Sequence, residues 1–77
     1  MKIVKVTWID PTIDAGWVEN DHESPLNHLV TYGILISKTK KQICVAGTYD
    51  PSDKKYADRT RFPTGCVKKI EVICENE

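Results

Sequence analysis

Apolar and polar positions alternate with a period of two along most of this chain, and the breaks in that alternation carry turn residues. Between Lys2 and Ile9, the residues Val4, Val6 and Trp8 fall on one face and Lys5 and Thr7 on the other, which predicts a half-buried first strand. Pro11 to Glu23 loses the pattern and holds the turn signals Asp10-Pro11, Ala15-Gly16 and Asn20-Asp21, so a long loop arching over the surface is expected. Ser24-Pro25-Leu26-Asn27-His28 fits either a short helical turn or an extended lead-in to the next strand and is read as loop. From His28 to Ser37 a second strand sets Val30, Tyr32, Ile34 and Ile36 on one side and Leu29, Thr31, Gly33 and Leu35 on the other. Gly33 in its middle marks a bulge or bend of the kind that lets one strand serve two sheets. The basic turn Lys38-Thr39-Lys40-Lys41 leads into a third strand, Gln42 to Tyr49, which completes a hairpin. After the polar cluster Asp50 to Lys55, a shorter strand runs from Tyr56 to Phe62 with Arg59 and Arg61 on one face. Pro63 then opens a tight turn, one turn of 3₁₀ helix, that feeds a last strand with Ile70 and Val72 inward and Lys69 and Glu71 outward.

Seventy-seven residues allow a single domain, residues 1–77, with a thin core, because a chain this short buries only about 60% of its unfolded surface. The residues suited to that core are mostly β-branched and aromatic: Ile3, Val4, Val6, Trp8, Val30, Tyr32, Ile34, Ile36, Ile43, Val45, Tyr49, Phe62, Val67, Ile70, Val72 and Ile73. Their distribution predicts an all-β chain of five strands that closes into a small barrel. A compact closed sheet or oligomerisation must supply the stability that length does not.

The formal net charge is zero, which argues against a surface devoted wholly to nucleic acid. Its distribution is uneven: residues 38–69 carry nine lysines and arginines against three aspartates, between acidic ends. Such a basic centre focuses field on an anionic partner, although lysines also solubilise exposed strand edges. Cys44, Cys66 and Cys74 cannot all pair and lack metal-ligand spacing, so a reducing cytosol is expected, with Cys44 and Cys66 as small buried hydrophobes. Lysines interrupt the first residues, no apolar run nears the roughly 20 residues of a membrane span, and neither a signal peptide nor membrane association is expected.

No catalytic set emerges. Asp10, Asp14, Glu19, Asp21 and Glu23 cluster along the first loop, but their spacing does not fit an EF-hand and Asp10-Pro11 is a common turn opener. His22 and His28 have no cysteine partner nearby, no Gly-x-Ser-x-Gly or Gly-rich phosphate loop occurs, and neither metal nor cofactor is expected. Binding chemistry is better represented. Tyr49, Tyr56, Arg59 and Arg61, with Lys54 and Lys55, mix aromatic planes and guanidinium forks, the residue types that stack on bases and grip phosphates. Trp17 follows Gly16 outside any strand period and joins this candidate set, as does Trp8, whose phase with Val4 and Val6 also fits the core.

The order of elements resembles SH3-like barrels: first strand, long loop, bent central hairpin, fourth strand, one-turn 3₁₀ helix opening on Pro63, fifth strand. The acidic-aromatic signature of the peptide-binding members is missing, so Pro-rich peptide recognition is not implied. A second resemblance spans most of the chain. Val6-Thr7-Trp8-Ile9-Asp10, Asp14-Ala15-Gly16-Trp17, Tyr32-Gly33-Ile34-Leu35-Ile36, and Phe62-Pro63 through Val67-Lys68-Lys69-Ile70-Glu71 are similar to a group of short bacteriophage proteins. That resemblance implies a phage product acting in the cytoplasm of an infected bacterium and transfers no catalytic residue. The resulting expectation is a non-enzymatic, homo-oligomeric counter-defence protein that sequesters an anionic, cyclic-nucleotide-type signal. Docking on a host protein and single-stranded nucleic-acid binding are the alternatives.

Overall fold

A computed structural model describes residues 1–10 and 27–75 of the chain. Five strands occur in it: β1 (Lys2–Asp10), β2 (Asn27–Lys38), β3 (Gln42–Asp50), β4 (Lys55–Pro63) and β5 (Val67–Glu75), with a 3₁₀ turn, η1 (Thr64–Cys66), before the last. The long first loop, with Asp14, Trp17, Glu19, Asp21, His22 and Glu23, lies outside the described residues. All neighbouring strands are antiparallel and form one sheet in the order β4-β3-β2-β1-β5. Its two edges, β4 and β5, do not pair with each other, so the sheet stays open.

The strand that organises this sheet is β2. Its first part, Asn27 to Ile34, pairs with β1, and its last part, Ile34 to Lys38, pairs with β3. The two pairings meet at Ile34, next to the glycine. A Cβ on Gly33 would stand 2.9 Å from the Ala46 carbonyl oxygen and 3.2 Å from the Val45 Cβ. Only a residue without a side chain lets β3 approach this closely. The register break that accompanies the bend comes slightly later, between Leu35 and Ser37, and leaves Ile36 without a partner.

That close approach also decides which face of β2 points inward. Gly33 pairs with buried Val4 and Thr31 with buried Val6, so the Thr31–Gly33–Leu35 row lies on the core side. The bulkier row expected to be core lies mostly outside it: Val30 is 47% and Tyr32 62% exposed, and Ile36 is exposed too. Ile3, Val72 and Ile73 are likewise corrected from core to surface, the last two at 53% and 55% exposure. In β5 the cause is local. The register jumps from Val4–Val72 to Ile3–Cys74, which leaves Ile73 as a bulge at this end of the strand.

The core that remains is Val4, Val6, Ile43, Val45 and Phe62, with Trp8, Leu35, Val67 and Ile70 packed against it. Cys44 and Ala46 are also buried, on the opposite face of β3. The Trp8 and Phe62 rings, on strands three places apart in the sheet order, meet at 5.2 Å between centroids and 52° between planes. The sheet thus curls until its inner face touches itself. Trp8 Nε1–H donates to Thr31 Oγ1 at 2.9 Å, which satisfies the indole's one polar group where it is partly buried.

The molecule is nevertheless long, 57 × 21 × 20 Å, with a radius of gyration of 16.0 Å. A compact domain of this length has about 11 to 12 Å. One contributor is visible in the pairing: beyond Ala46, β3 has no partner in β2 and continues with β4 as a two-stranded ribbon.

Candidate functional site

The ribbon carries Tyr49, Lys54, Lys55 and Tyr56 of the eight side chains that the sequence singles out. Its tip is set by Asp50, whose Oδ1 accepts the Ser52 N–H at 2.9 Å and the Asp53 N–H at 3.5 Å, an Asx-type turn. Lys54 closes the turn at φ 54°, a left-handed conformation that a non-glycine residue adopts at some cost. Tyr49 and Tyr56 then face each other across the ladder with ring centroids 4.9 Å apart and planes tilted by 37°. Tyr56 is 42% exposed and Tyr49 half-buried, so the pair offers an aromatic surface to solvent.

At the base of the ribbon Asp58 stands at φ 56°, and its Oδ2 accepts the Thr48 hydroxyl at 2.5 Å. Gly47 faces it with room to spare, since a Cβ there would sit 3.5 Å from the Asp58 Cβ. The positive φ of Asp58 is thus held by its own side-chain hydrogen bond. It marks the place where the ribbon leaves the body.

The ladder separates the tyrosines from the arginines. Arg59 pairs with Ala46 and Arg61 with Cys44, whereas Tyr56 pairs with Tyr49 beyond the stretch of β3 that β2 covers. Between them stands Asp58, whose left-handed backbone interrupts the regular alternation of β4, so the tyrosines belong to the ribbon and the arginines to the body. Both arginines are exposed, and neither guanidinium bonds another described residue. Lys54 lies beside the aromatic pair, at the tip. The candidates thus fall into two groups along β3 and β4, Tyr49, Lys54 and Tyr56 on the ribbon and Arg59 and Arg61 on the body.

Trp8 and Arg61 come together elsewhere. A cleft of about 220 Å³ opens between the end of β1, β4 and η1, bordered by Trp8, Ile9, Arg61, Phe62, Pro63 and Cys66 together with Thr60. It is smaller than the roughly 300 Å³ at which small-molecule pockets begin, so it suits one ring or a short chain rather than a whole nucleotide. Phe62 and Cys66 belong to it although their sequence context marked them only as core. What brings them there is the curl of the sheet, for which no local pattern speaks. Trp17, the remaining candidate, lies outside the described residues.

Other chemistry is sparse. The three cysteines are free thiols, Cys44 buried, Cys66 half-buried and Cys74 exposed. Among the described residues no group of three or more His, Cys, Asp or Glu side chains is placed to hold a metal ion. His28 is exposed, and Asp10 is the one described member of the acidic loop cluster. No helix of the described residues is long and apolar enough to cross a membrane. Comparison with protein-family models, with curated proteins and with solved structures finds no match to this chain.

Proposed function

We propose that this chain is a non-enzymatic binding protein that sequesters an anionic, nucleotide-type ligand, working as a homo-oligomer in a phage-infected bacterial cytoplasm. The observation that carries the reading is the Tyr49–Tyr56 pair, held open to solvent on a projecting ribbon with Lys54 at its tip. A nucleobase stacks on such a pair, and the ammonium group holds a phosphate. Arg59, in the body just past the base of the ribbon, then serves a ligand bound between two subunits rather than on one ribbon. This division of labour favours a site completed by a second subunit.

The fold reading goes with it. The order β5-β1-β2-β3-β4, the bent β2, the 3₁₀ turn after Pro63 and the Trp8–Phe62 contact support reading the open sheet as a variant of an SH3-like barrel. Oligomerisation is supported by the apolar surface that one copy leaves exposed at Val30, Tyr32, Val72 and Ile73. The setting in an infected bacterium stands on the sequence resemblance to phage proteins alone.

Titration with a panel of cyclic and linear nucleotides, followed by intrinsic fluorescence and calorimetry, tests the reading. Saturable binding that weakens at least about tenfold in Tyr56→Ala and in Arg59→Ala is expected, the loss of one good contact being worth about 1.4 kcal/mol or more. Absence of saturable binding across the panel contradicts it. A second reading, single-stranded nucleic acid, is favoured by the exposed Tyr56 beside Lys54 and Lys55 on a ribbon free to lie along a strand. A gel shift with a random oligonucleotide at low salt, lost as salt rises, identifies that case.

A further inference from the structure

The geometry points to a second binding site, for a phosphate ester, in a lysine-rimmed cleft at the end of β3 away from the ribbon. The cleft holds about 230 Å³ and is bordered by Lys38, Ile43, Thr64, Lys68, Lys69 and the pair Val67 and Ile70. Its walls come from segments some thirty residues apart, and specific bonds join them. The Thr64 N–H donates to the Lys41 carbonyl at 2.9 Å, and the Thr64 hydroxyl reaches the Thr39 carbonyl at 3.5 Å. Thr39 in turn fixes its own turn: its Oγ1 accepts the N–H groups of Lys41 and Gln42 at 3.2 and 3.1 Å. The basic β2–β3 turn is thereby fastened to η1, and Lys38 is set opposite the start of β5.

A bulge supplies the remaining charge. Thr7 pairs with Lys69 and Trp8 with Val67, so Lys68 has no partner on β1. Val67, Lys68, Lys69 and Ile70 all border the hollow, and the extra residue at Lys68 re-aims the chain beside it.

The chemistry of the hollow follows from its parts. Three lysines border it, and one of them, Lys69, meets the Glu71 carboxylate at 3.8 Å with both side chains well exposed. Such a pair is weak and yields to a stronger anion. Buried Ile43 and half-buried Val67 and Ile70 form an apolar floor. Lysines act on phosphate as point charges, and the floor accepts an organic group attached to it. A phosphate ester matches both halves, whereas inorganic phosphate uses only the rim.

Amide-resolved NMR titration of the full chain with phenyl phosphate and, separately, inorganic phosphate tests the site. Saturable shifts at Ile43, Thr64 and Val67 to Ile70 are expected, with phenyl phosphate at least about threefold tighter than inorganic phosphate. Lys68→Gln should weaken phenyl phosphate about tenfold and Lys68→Arg far less, the usual contrast for a charge-assisted contact. Each variant's own amide spectrum shows whether it is folded. Uniform, non-saturating shifts overturn the proposal, as does full binding by folded Lys68→Gln. Shifts confined to Tyr49 through Arg59 overturn it as well, while supporting the ribbon as the ligand site.

Discussion

Single residues decide this fold where patterns are ambiguous, and Gly33 is the clearest case. Period-two alternation divides β2 into two rows, both with enough apolar residues to be core, and the larger residues of the Val30–Tyr32 row favour the wrong one. What selects the inner row is the 2.9 Å between a Cβ at Gly33 and the Ala46 oxygen, a contact between strands that sequence spacing does not contain. Gly33→Ala should therefore lower stability by about 1 to 3 kcal/mol, as overpacking does, despite the usual gain from replacing a strand glycine. Urea denaturation measures it, and an unchanged midpoint shows that β3 has room to move. Trp8, by contrast, was legible as a core residue from its phase with Val4 and Val6, but its partners were not. Trp8→Phe loses the hydrogen bond to Thr31 and part of the contact with Phe62, for an expected cost of about 1 to 2 kcal/mol in the same assay.

At the level of elements the sequence was most informative. All five strands stand where alternation places them, and the 3₁₀ turn follows Pro63, whose φ of −57° is the value its ring imposes. What alternation omits is the extent of lateral pairing. Nothing in Thr48 to Ala57 reveals that β2 has turned toward β1 and no longer covers this stretch, because that is decided at Gly33 and Ile34. A two-stranded ribbon is marginal in water by itself. Amides of Thr48 to Ala57 should accordingly exchange far faster than those of Val4, Val6 and Ile43 to Val45, and hydrogen exchange followed by NMR checks it. Equal protection in both groups means that the ribbon is covered in solution. Asp50→Ala removes the side-chain acceptor at the tip and should cost about 1 kcal/mol, together with a weaker nucleotide response through loss of the Tyr49–Tyr56 geometry.

For the whole molecule the imbalance between core and surface is the main consequence. Five buried residues form the core cluster, while Tyr32, Val30, Val72 and Ile73 stay open to water and the radius of gyration is 16.0 Å. A chain of 77 residues has little stability to spare for exposed apolar area, and in the homo-oligomer proposed above a second copy would cover it. Length alone led to the expectation of a closed sheet or oligomerisation, whereas the apolar rows left exposed became visible only once strand pairing fixed which of them face outward. The most direct test is native mass spectrometry of the protein purified from infected or defence-expressing cells, with the solution molar mass measured alongside. The account predicts a multiple of the 8.8 kDa chain carrying a phosphate-bearing small molecule that Tyr56→Ala and Arg59→Ala fail to retain. A ligand-free 8.8 kDa monomer that takes up no nucleotide when supplied with the panel would contradict it.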